Sequence, residues 1–119
     1  MIPMLKRFIK KDENEVKNID IALSDDVASG NICCLKCGKI VIVEVSDIVL
    51  KTDKSEWSTM IATGLPPYNN KYNTWNKGIL LENKGHVNVY ENGQLYVCER
   101  TGTQKASSCY IGQLIYMTK

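Results

Sequence analysis

Gly85-His86-Val87-Asn88-Val89-Tyr90-Glu91-Asn92-Gly93-Gln94-Leu95-Tyr96-Val97 is the stretch that decides the fold class. Val87 and Val89 alternate with polar residues before Asn92-Gly93, and Leu95 and Val97 do the same after it. Successive side chains of a strand point to opposite faces, so this pattern buries one face and wets the other. Asn-Gly supplies the positive φ angles of a two-residue turn. The stretch therefore predicts a β-hairpin.

The sequence on either side reads the same way. Ile19-Asp20-Ile21-Ala22-Leu23 alternates as a strand, and Ser24-Asp25-Asp26 marks a turn. Ile32-Cys33-Cys34-Leu35-Lys36-Cys37 leads to a tight turn at Gly38-Lys39. Ile40-Val41-Ile42-Val43-Glu44-Val45 is β-branched and nearly continuous, as in a central strand, and Ile48-Val49-Leu50 extends it or forms a bulged continuation. Residues 57–63 form a further strand, stopped by Gly64-Leu65-Pro66-Pro67. A polar and aromatic loop covers residues 68–77, followed by a short strand at residues 78–82, the hairpin, and a last strand over residues 109–117. Many short strands punctuated by turns predict an all-β sandwich or barrel. Before them, Met4, Leu5, Phe8 and Ile9 have helical spacing, so residues 1–18 read as a short amphipathic helix or an arm and residues 19–119 as the β domain.

A length of 119 residues suits one domain with its own core. Fifteen basic residues against 13 acidic ones leave a net charge of +2, too balanced a field to direct the chain to nucleic acid. Lys6-Arg7 and Lys10-Lys11 are answered at once by Asp12, Glu13 and Glu15, as on a solvated arm. No apolar run approaches the roughly 20 residues of a membrane-spanning helix, so membrane insertion is not expected. Five cysteines cannot all pair within one chain; mostly reduced thiols and folding in a cytosol are expected.

Four segments together resemble the C-terminal head domain of tail-fibre and receptor-binding proteins of phages and prophages of Gram-positive bacteria. They are Ser29-Gly30-Asn31-Ile32 leading to Gly38-Lys39-Ile40-Val41-Ile42-Val43; Ile61-Ala62-Thr63-Gly64-Leu65-Pro66; the hairpin; and Tyr110-Ile111-Gly112-Gln113-Leu114-Ile115-Tyr116. The resemblance covers about residues 19–119. It implies an antiparallel jelly-roll-like β-sandwich assembled as a homotrimer, made in the bacterial cytoplasm and carried on the virion tail. There it would recognise a host cell-surface glycan outside the cell without enzymatic activity. Ile111, Leu114, Ile115, Tyr116, Val41 and Val43 are candidates either for the core or for packing along the trimer axis.

Residues 66–77 are the leading candidate for a saccharide-binding surface. Tyr68, Tyr72 and Trp75 are interleaved with Asn69, Asn70, Asn73 and Asn76. Aromatic faces stack on the C–H faces of sugars, and amide side chains both donate to and accept from hydroxyls. In the other reading Tyr72 and Trp75 plug the end of the core and the asparagines fill turns. A second polar loop, residues 100–108, offers Arg100 and Lys105 for an anionic sugar or a teichoic-acid phosphate if it lies at the same end of the domain; otherwise both are solvated loop residues.

Cys33, Cys34 and Cys37 contain a C-x-x-C spacing that also occurs in zinc and redox sites, with Cys98 and Cys109 able to complete a thiolate set. No second C-x-x-C accompanies it, and no metal or cofactor is expected. Cys98 and Cys109 are otherwise cross-strand neighbours or small apolar fillers. His86, the single histidine, reads as a strand-end residue ahead of a Cys–His nucleophile pair. No short catalytic motif is present, which weighs against an enzyme, although the carboxylates of a saccharide hydrolase carry none. The expected function is thus a non-enzymatic receptor-binding head, with a purely structural fibre-capping domain and a saccharide-acting enzyme as the alternatives.

Overall fold

The computed structural model describes residues 15–72 and 76–119. The N-terminal helix or arm expected from Met4, Leu5, Phe8 and Ile9 falls almost wholly outside them, as does Trp75. The described residues form nine strands in order: β1 (Val16–Asn18), β2 (Ala22–Leu23), β3 (Val27–Cys37), β4 (Ile40–Leu50), β5 (Thr59–Thr63), β6 (Lys77–Leu80), β7 (Gly85–Val89), β8 (Leu95–Glu99) and β9 (Tyr110–Met117). All the pairings are antiparallel, within one sheet of order β1-β3-β4-β9-β6-β7-β8-β5-β2. The expected all-β antiparallel class is what the chain adopts.

The sheet is strongly curled, and connectivity alone requires it. β1 and β2 occupy opposite edges yet are separated only by Ile19, Asp20 and Ile21. Four Cα steps reach at most about 14 Å, whereas eight strand spacings of a flat sheet would place the edges about 38 Å apart. The sequence reads 19–23 as one strand; the structure breaks it. The Ile19 N–H donates to the Cys34 carbonyl at 2.9 Å, and Ala22 pairs with Thr63, so the backbone changes partner between β3 and β5. Ile19 and Ile21 remain half-buried against the core, which is why the alternating pattern looked uninterrupted.

The concave side holds the core. Val41, Val43 and Val45 of β4, Leu114 and Tyr116 of β9, Val87 and Val89 of β7, and Leu95 and Val97 of β8 are all buried. The candidates left open between core and axis are thereby divided: Val41, Val43, Leu114 and Tyr116 point inward, and Ile111 and Ile115 outward. β4 runs through Leu50 with the anticipated bulge, since its register on β9 shifts between Val45 and Ile48. Asp47, at φ +53°, sits in that shift. The strand expected over 57–63 begins only at Thr59; Trp57 is 79% exposed.

The hairpin forms with the expected faces but a different turn. Val87 pairs with Val97 and Val89 with Leu95. The Gly93 N–H donates to the Tyr90 carbonyl at 3.0 Å and the Tyr90 N–H to the Gln94 carbonyl at 3.0 Å. Among Glu91, Asn92 and Gly93 only Gly93 has a positive φ, +79°. This is a three-residue loop with glycine at the bulge, the next most common hairpin solution after the two-residue turn. At Gly38-Lys39 a two-residue turn does form, joining the Cys37–Ile40 pair, with Gly38 at φ +59°.

Candidate functional site

Two hydrogen bonds anchor the loop after β5 to the end of the sheet. Pro66 and Pro67 have no N–H to donate, but their carbonyls accept from the Tyr116 hydroxyl and the Thr118 hydroxyl, each at 2.6 Å. The Tyr68 N–H then donates to the Tyr90 carbonyl at 3.3 Å, and the Asn69 N–H to the Met117 carbonyl at 3.0 Å. The loop is thereby tied to the tip of the β7–β8 hairpin and to the end of β9.

Between the loop and the hairpin tip lies an open groove of about 610 Å³. Tyr68, Tyr90 and Tyr96 contribute its aromatic surface, while Asn70, Asn76, Asn92 and Gln94 contribute amides. The Tyr90 and Tyr96 rings meet edge to face, with centroids 4.8 Å apart. Tyr68 stands edge-on to Tyr116 at 6.5 Å and is half-buried against the core. Asn70 Nδ2 donates to Glu91 Oε1 at 2.6 Å across the groove. Asn76 Nδ2 donates to the Val89 carbonyl at 2.8 Å, and the Tyr96 hydroxyl donates to Gln94 Oε1 at 3.0 Å.

Of the sequence candidates, Tyr68, Asn70 and Asn76 therefore meet in one groove. Asn69 turns its Oδ1 back onto the Lys71 N–H at 3.0 Å and stabilises the loop itself. Tyr72 closes a 3₁₀ turn over Asn70–Tyr72, and Trp75 lies outside the described residues. Arg100 and Lys105 belong elsewhere. Their loop follows the far end of β8 and precedes the start of β9, whereas the groove sits at the end of β9. The eight residues of β9 separate the two by about 25 Å, so the loops do not share one end. The reason is topological, because β8 and β9 are not neighbours and the loop between them spans the far rim. There the Tyr110 hydroxyl donates to Glu99 Oε2 at 2.5 Å, and the Lys105 N–H donates to the Tyr110 oxygen at 3.1 Å. The Lys105 backbone thus braces this corner.

The groove residues that the sequence reading passed over are Tyr90, Glu91, Asn92, Gln94 and Tyr96. A signal for the tyrosines was present: both fall at the polar positions of the alternating hairpin, so they had to stand on the face away from the valine core.

Cys98 is not beside Cys109, because β8 pairs with β7 and β5 while β9 pairs with β4 and β6. Cys98 stands opposite His86, and the Cys109 thiol donates to Asp47 Oδ1 at 3.4 Å. Burial, and then the charge of Lys77, lower the His86 pKa from its ordinary value. None of the five cysteines is joined in a disulfide, and among the described residues no group of three His, Cys, Asp or Glu side chains is placed to share a metal ion.

A second concavity, of about 600 Å³, lies on the convex side where β4, β9 and β6 run together. Ile79, Leu81, Ile111 and Ile115 line it with Glu44 and Lys77. Ile79 is 77% exposed and Ile115 56% exposed. The strand register continues this apolar surface across Ile42, which pairs with Ile115, to Leu35 on β3.

No family model, curated protein or solved structure matches the chain.

Proposed function

We propose that this domain is a non-enzymatic saccharide-binding module, and that it serves as the homotrimeric, jelly-roll-like receptor-binding head of a phage or prophage tail fibre. The observation that carries the saccharide reading is the groove at the hairpin tip, where three tyrosines and four amides converge on a rigid β scaffold. Tyrosines offer flat apolar area with little rotamer freedom to lose, and amides satisfy hydroxyls in both directions. The fibre-head part rests on the resemblance of the four segments and would place the domain on the virion tail, facing the host cell surface. The trimer is supported by the convex apolar surface, since contiguous exposed apolar area of this kind commonly marks an interface. Repetition around a threefold axis would raise the avidity of individually weak sites.

The test is a panel of cell-wall saccharides screened against the wild-type chain and the Tyr90→Ala and Tyr96→Ala variants, with light scattering in parallel. Binding lost in both variants, by a particle near three times 13.4 kDa, is the expected result. The convex apolar surface also favours the second reading, a structural domain that only caps a fibre. A stable trimer that binds no saccharide on the panel selects that reading, and a monomer at all concentrations removes the fibre head.

A further inference from the structure

We infer that the hairpin-tip groove selects saccharides bearing a free ammonium group, as in a de-N-acetylated or aminoacylated sugar. The inference rests on the saccharide reading above and adds the ligand's charge. Among the described residues that line the groove, Glu91 is the only charged one. Its carboxylate accepts a hydrogen bond from the neutral Asn70 amide at 2.6 Å, which orients it without cancelling its charge. The ion pairs among the described residues are Lys54–Asp26 and Lys84–Glu82, so neither involves Glu91. Lys71 neighbours Asn70 in the chain but does not line the groove. Arg100 and Lys105, the cations expected to receive an anionic ligand, lie at the opposite end of β9.

The aromatic lining acts in the same direction. A tyrosine ring presents its negative face to a cation, and Tyr68, Tyr90 and Tyr96 line the same groove as Glu91. An ammonium there would meet a carboxylate and ring faces together, while the sugar hydroxyls reach the amides of Asn92 and Gln94. The whole chain carries a net charge of +2, so its overall field repels a cationic ligand. A preference for the amine form would therefore have to originate in the groove.

The experiment is calorimetric titration of the full chain with two oligosaccharides of equal length, one of glucosamine and one of N-acetylglucosamine, repeated with Glu91→Gln. The amide in Glu91→Gln retains an acceptor for Asn70 while removing the charge. The expected result is about tenfold tighter binding of the amine form, collapsing to near parity in Glu91→Gln. Equal binding of both oligomers overturns the charge selection and leaves the saccharide reading intact. An amine preference that survives Glu91→Gln overturns the assignment to this groove. Binding of neither oligomer overturns the inference, and failure across the wider panel overturns the saccharide reading beneath it.

Discussion

At Gly93 the backbone takes φ +79°, and a Cβ built there would stand 2.3 Å from the Leu65 carbonyl oxygen. That contact is with backbone, so no rotamer change relieves it, and the left-handed conformation adds its own penalty to any L side chain. Gly93→Ala should cost about 2 kcal/mol of stability in urea unfolding, whereas Asn92→Ala, at a position without positive φ, should cost less than half as much. The buried Cys34 gives a second expectation. Desolvation, then the neighbouring Cys33, push its thiol up to about 11 from 9.0. The unfolded chain releases this proton first, so across that window the folded chain binds more protons and stability falls as pH rises. Below pH 9 the contribution is fully present. Urea midpoints measured under reductant should fall between pH 9 and 11, and the Cys34→Ala variant should show a shallower decline. The Tyr116 hydroxyl, raised by burial and by Cys34, shifts in the same sense.

Single strands show what the sequence could and could not disclose. In the hairpin, alternation named every inward residue, because burial and period-two geometry leave one register that keeps the valines dry. Asn-Gly does not fix the turn by itself, because it also fits a three-residue loop in which only the glycine needs positive φ. In β4 the unbroken run of β-branched residues marked a strand with neighbours on both sides, which β3 and β9 supply. It did not tell that only alternate residues face the core, nor that Ile42 helps form an apolar exterior. The groove was half-legible: the loop carrying Tyr68 and Asn70 stood out by composition, but its union with Tyr90, Glu91 and Tyr96 depends on a contact between segments about 20 residues apart in sequence. β9 offers a direct check of facing. Leu114→Ala empties a fully buried position and should cost 2–5 kcal/mol, as large-to-small core changes typically do, or roughly that range. Ile115→Ala, one residue on and exposed, should alter the stability of the separate chain by less than about 0.5 kcal/mol. Chemical denaturation at low protein concentration reads both.

At the scale of the whole molecule, the described residues pack their apolar core on the concave side of the sheet. The convex surface built from Ile42, Ile79, Ile111 and Ile115 is the place where copies of the chain would meet in the proposed trimer. If it is, Ile115→Glu should convert the particle seen by light scattering to a single chain while its circular dichroism remains that of the folded protein. A trimer unaffected by this charge would put the contact elsewhere on the surface. The curl has an energetic aspect as well. Ile19, Asp20 and Ile21 hold the two sheet edges near one another, so changes there act on both edges at once.

The position of β9 has a different consequence. The strand written latest in the sequence lies inside the sheet, between β4 and β6, and it contributes Tyr110, Leu114 and Tyr116 to the core. Without it, β4 and β6 would each present an unsatisfied ladder of backbone donors and acceptors toward a slot one strand wide. Such a gap should accept the missing piece from outside. A fragment ending at Ser108, mixed with a synthetic peptide of residues 109–119, should regain the strand signature in circular dichroism, and a peptide with Leu114 replaced by Asp should not. The fold would then be a two-part reporter, whose halves signal their encounter by completing a sheet.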